Sequence, residues 1–140
     1  IATTPFHNME AEDFAAGVLE FESGAVGSIF ASTSSFPGDA ECIIFDCANG
    51  SASLKSGVLK VNWHDGRVEQ FGEVASTGGG ADPMAFPYDW HKSLISDFAN
   101  SILTGRTPRV TGLQALEVHR LIAAIVDSAR SGQNIKIVRK

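Results

Sequence analysis

Apolar and polar positions alternate with a short period in the first half of the chain and with a longer one in the second. Short apolar runs separated by turn residues fill the first half. "DFAAGVLEFE" (13–22) and "AVGSIFASTS" (25–34) flank Ser23-Gly24, a short hairpin connection. "AECIIFDC" (40–47) runs into Asn49-Gly50, a strong hairpin signal, and then "SASLK" (51–55). Ser56-Gly57 leads to "VLKVNWH" (58–64), and Asp65-Gly66 leads to "RVEQFGEV" (67–74). Successive turns of this kind predict an antiparallel meander. Leu59, Val61 and Trp63 share one strand face, whereas in the first strand Phe14 and Val18 point one way and Leu19 and Phe21 the other. Strands apolar on both sides are usually covered on both sides.

From Tyr88 onward the spacing becomes helical. "YDWHKSLISDFANSILTG" carries Leu94, Ile95, Phe98, Ile102 and Leu103 on one stripe, with Asp89 as N-cap and Gly105 just past the end. Pro108 forbids simple continuation. Thr111 and Gln114 then fit a capping box, and Leu113, Leu116, Leu121, Ile122, Ile125, Val126 and Ala129 form the face expected to be buried. Arg130 suits the helix dipole, and Gly132 stops the helix. "NIKIV", with alternating Ile135 and Ile137, predicts a closing strand. The pattern as a whole predicts an α+β fold: an open-faced, mostly antiparallel sheet of about six strands with two C-terminal helices on one face.

Composition narrows the picture without changing it. With 140 residues, 44% hydrophobic and 19% charged, residues 1–140 form one globular domain's worth of chain. A net charge of −5 offers nucleic acid no general attraction, and no apolar run approaches the ~20 residues of a membrane span. Cys42 and Cys47, five apart on a strand, would lie ~16 Å from each other, too far for a disulfide. Unpaired thiols fit a reducing, cytoplasmic setting. Ile1 followed by "ATTPFHNMEAED" reads as the interior of a longer protein.

Candidate chemistry is sparse. "STGGGADP" (76–83) suggests a phosphate loop, but position 83 is proline and no helix opens there, so the physical basis of a dinucleotide site is missing and a surface loop is expected. His7, His64 and His119 are scattered, with no spacing suited to a metal. His91 differs, because with Tyr88 and Trp90 it opens a helix after a long loop, where aromatic and titratable groups often line pockets. No nucleophile elbow occurs.

Two stretches carry a resemblance. "EDFAAGVLEFESGAVGSIFAS" and "WHKSLISDFANSILTGRTPRVTGLQALEVHRLIAAIVDSARSGQNIKI" resemble the carboxyl-terminal domain of the Gfo/Idh/MocA superfamily, with Gln114 where Glu is usual and Val126 where Tyr is common. The resemblance runs from about Glu12 to Val138. It implies that an amino-terminal Rossmann domain binding NAD or NADP precedes this chain in the intact parent, and that no cofactor site and no catalytic residue lie in the chain itself. It also implies self-association through the sheet and a sugar or polyol substrate, with Phe36, Tyr88, Trp90 and His91 on the pocket wall. Aromatic faces suit sugar C–H surfaces, while a phenol and an imidazole suit hydroxyls. A free-standing, non-catalytic oligomerisation or ligand-binding module of the same fold remains the alternative.

Overall fold

A computed structural model describes residues 1–74 and 88–138. The glycine stretch 76–83 lies outside the described residues, and with it the surface-loop expectation. Among the described residues seven strands and two helices follow in order: β1 Ala2–Thr3, β2 Phe14–Glu20, β3 Val26–Ser32, β4 Cys42–Cys47, β5 Gly50–Lys55, β6 Val58–Trp63, β7 Val68–Phe71, α1 Asp89–Thr104 and α2 Gly112–Ser131. All pairings are antiparallel. The α+β class, the meander and the two C-terminal helices are as the sequence predicts. The strands, however, form two sheets rather than one, in the orders β1-β2-β3 and β4-β5-β6-β7. The chain divides into two compact units, one comprising residues 1–35 and 94–140 and the other residues 36–93.

In the first unit β2 is the central strand. It pairs along its whole length with β3, from Phe14↔Ser32 to Glu20↔Val26, and over two residues with β1. The Phe14 and Phe30 rings meet edge to face at 5.4 Å, a diagonal cross-strand contact. The β2–β3 turn places Gly24 at φ 86°, with its amide donating to Phe21 O and the Phe21 amide to Ala25 O. A left-handed residue closing a three-residue loop is the usual place for glycine in a hairpin.

The second unit is a four-stranded meander. Asn49-Gly50, read in the sequence as the turn itself, is divided by the structure. Cys47 pairs with Gly50, so Ala48 and Asn49 make the turn and Gly50 begins β5. Gly50 is there for room: a Cβ on it would collide with the Asn62 carbonyl oxygen across the ladder. Cys42 and Cys47 are both unpaired, exposed thiols.

Helix α2 is capped as its sequence dictates. The Thr111 side chain accepts from the Gln114 amide, and the Gln114 side chain accepts from the Thr111 amide at 2.8 Å. Gly132 is left-handed at φ 68°, and its N–H donates to Ser128 O. Asp89 differs from expectation: it is the first helical residue of α1, not its cap, and contributes as an acidic group in the first turn.

Two expectations fail. Residues 134–138 form no strand, because no ladder partner pairs with the Ile135–Ile137 alternation. The face of α2 expected to be buried is so only in part: Leu121, Ile125, Val126 and Ala129 are half-buried, Leu113 is 78% exposed, and among the described residues no apolar side chain is fully buried. Periodicity reports which face is apolar, and it does not supply something to cover it.

Candidate functional site

The four residues proposed for a substrate wall all belong to the second unit. Tyr88 precedes α1, its carbonyl accepting from the Lys92 amide at 2.9 Å, and Trp90 and His91 lie in the first turn. Tyr88 is 70% exposed and Phe36 90%, while Trp90 and His91 are also open to solvent. Lys92 Nζ lies 6.0 Å from the Tyr88 ring centroid, within cation–π range. The helix start brings Tyr88, Trp90 and His91 into sequence-local proximity. Phe36 enters the same unit on a separate segment, after β3.

The signature residues of the α1–α2 connection perform a different task. Asp97, on α1, accepts from Arg106 Nη2 at 2.7 Å and from the Arg109 amide at 2.8 Å. The Arg109 amide and then the Arg106 guanidinium hold the Asp97 carboxyl below the ordinary aspartate range. The run "GRTPR" therefore folds back onto its own helix, and its arginine is a structural clasp.

A second carboxylate was not singled out by the sequence. Asp13 is 2% exposed, just ahead of β2, and its Oδ2 accepts the amides of Phe6 at 3.1 Å and His7 at 2.7 Å. The same oxygen lies 3.0 Å from His7 Nδ1. Burial alone would push the Asp13 carboxyl up, but the two amides and the His7 ring together hold it below its ordinary value. Oδ1 is buried and without a partner among the described residues. A spacing of six between the two residues matches no motif, so only the folded turn reveals the pair.

Two hollows mark the surface. One of about 390 Å³ lies in the first unit between β2, α2 and residues 134–137, with Leu19, Leu121 and Ile125 on its walls. The other, in the second unit, is bounded by Asn49, Trp63, His64 and Arg67. There Arg67 stacks 5.2 Å from the Trp63 ring centroid and donates from Nε to Asp65 at 2.8 Å, while Trp63 Nε1 donates to Glu69 at 3.0 Å. Among the described residues no group of His, Cys, Asp and Glu is arranged to hold a metal, and no helix is long and apolar enough to cross a membrane.

The family model for the oxidoreductase C-terminal alpha/beta domain, Gfo/Idh/MocA, matches residues 2–137. The chain belongs to this family. A search of curated proteins finds no match. Among solved structures, an oxidoreductase from Agrobacterium radiobacter, in complex with NAD+, L-tartaric acid and magnesium, superposes with a TM-score of 0.63 at 20% identity. The alignment covers 97% of this chain and 42% of that one. At this identity the likeness is one of fold. The chain is thus a C-terminal alpha/beta domain of that family, and it spans less than half the length of the relative it matches.

Proposed function

We propose that this chain is the substrate-side part of an NAD(P)-dependent oxidoreductase acting on a sugar, polyol or related hydroxyl compound. The observation that carries the reading is the family match across residues 2–137, set beside a solved relative more than twice as long. The described residues do not themselves fit a dinucleotide. At the α2 N-terminus the Thr111 and Gln114 amides are taken up by their own capping box, and α1 opens with the Asp89 carboxylate, which repels phosphate. In this proposal cofactor binding falls to a Rossmann domain elsewhere in the protein, along with the hydride chemistry that the cofactor supplies. This chain's share is orientation. Phe36 and Trp90 offer apolar faces to C–H surfaces, the Tyr88 phenol donates or accepts a hydrogen bond, and the His91 imidazole does the same. High exposure of Phe36 and Tyr88 supports this assignment, since neither side chain is spent on packing.

Self-association belongs to the same proposal. Ile43, Ile44 and Phe45, consecutive on β4, are 52%, 65% and 56% exposed, so both faces of that strand are apolar and open. Surfaces of this kind mark interfaces.

Tyr88→Phe and His91→Ala in the full-length oxidoreductase test the substrate wall. The reading expects kcat/KM to fall about tenfold or more for each, the loss of ~1.4 kcal/mol of transition-state binding, with the melting temperature nearly unchanged. Early melting with normal kinetics in the folded fraction would make both residues structural.

A further inference from the structure

The turn that joins His7 to Asp13 has no part in the proposed substrate wall, yet it holds the one imidazole with a carboxylate partner among the described residues. Oδ2 of Asp13 already accepts two backbone amides, and an ionised carboxylate can only accept. The 3.0 Å contact to His7 Nδ1 is therefore a bond donated by the ring. In the neutral imidazole this places the hydrogen on Nδ1 and leaves a lone pair on Nε2. The His7 side chain is 51% exposed, whereas the Asp13 side chain is fully buried, so the fixed end of the ring faces inward and the free end is reachable. No partner of Nε2 occurs among the described residues.

We propose that His7, oriented by Asp13, is a hydrogen-bond acceptor site for a neutral hydroxyl-bearing ligand, independent of Phe36, Tyr88, Trp90 and His91. Three features select that ligand class. Nε2 of a neutral ring set in this tautomer accepts and does not donate, so it requires a donor such as O–H. Its chain neighbour Phe6 is 68% exposed, an apolar face of the kind that packs on C–H surfaces. The surroundings are acidic: Glu10, Glu12 and Asp13 lie within six residues, and no Lys or Arg occurs among residues 1–54. Arg130, the cation that approaches from α2, is directed at Glu12 at 3.7 Å. Phosphates and carboxylates are thus disfavoured relative to neutral polyols. The unmet Oδ1 adds weight, because a buried carboxylate oxygen without a donor is a cost that a purely structural anchor would be expected to shed.

The experiment is imidazole nitrogen-15 NMR of the full 140-residue chain, labelled at histidine and titrated with sorbitol at a pH where the rings are neutral. The expected result is a protonated Nδ1 and a bare Nε2 for His7, with the Nε2 signal moving saturably with sorbitol while His64 and His119 stay still. Sodium phosphate should leave His7 unmoved. Asp13→Asn should release the tautomer. Should that variant unfold, His7→Ala keeps the Asp13 bonds to the amides of residues 6 and 7, removes the ring acceptor, and should abolish any sorbitol response of the Phe6 amide. A hydrogen on Nε2 in the unaltered chain, or a His7 ring indifferent to sorbitol, overturns the proposal. Neither result would touch the kinetics expected of Tyr88 and His91.

Discussion

Asp97 holds both arginines of the α1–α2 connection, the Arg106 side chain at 2.7 Å and the Arg109 backbone amide at 2.8 Å. One carboxylate thereby fixes where α1 ends and how the chain turns toward α2. Because the Asp97 carboxyl sits below its unfolded value, held there by the Arg109 amide and then by Arg106, its contribution is fully present above the unfolded aspartate pKa of about 3.9. That contribution disappears as the pH falls through the lower folded value. Asp97→Asn should lower the melting temperature at neutral pH and flatten the loss of stability on acidification. Thermal melts of both forms between neutral and strongly acidic pH measure this, and an unchanged slope would remove Asp97 from the account.

Thr111 closes the capping box of α2 with Gln114. Thr111→Ala leaves the Gln114 amide without its acceptor and should cost about 1 kcal/mol, while Thr111→Ser should restore nearly all of it. Urea denaturation of the two variants decides between a working cap and a decorative one.

The open apolar strand β4 leads to a third expectation. Ile43, Ile44 and Phe45 face solvent on both sides of the sheet, so the chain should self-associate at moderate concentration. Light scattering behind a sizing column should give a mass of at least two chains, and Ile44→Lys should shift it toward one. A clean monomer at high concentration argues against the interface.

What the sequence made legible was what local chemistry determines. The Gly24 turn, the Thr111–Gln114 box and the change from strand to helix spacing each act over a few residues, and each appears where the pattern places it. What depends on distant partners was hidden. Gly50 left the turn for the strand because of the Asn62 carbonyl opposite, a neighbour no turn propensity can reveal. Leu113 belongs to a face that the sequence marks as apolar, but the surface that would cover it is not visible in sequence. Tyr88, Trp90 and His91 stand out partly by their place at a helix start, but the substrate-wall role proposed for them rests on family resemblance. Asp13 and His7 escaped because a six-residue turn, not a motif, joins them.

The division of labour between this domain and a separate cofactor domain is the central claim. Titration of the chain with NADH and NADPH, followed by the fluorescence of Trp63 and Trp90, tests it most directly. The α2 N-terminus is capped internally, α1 opens on Asp89, and the described residues form no dinucleotide cradle, so the signal should change only in proportion to light absorbed by the added nucleotide. Saturable binding at micromolar concentration would contradict the account.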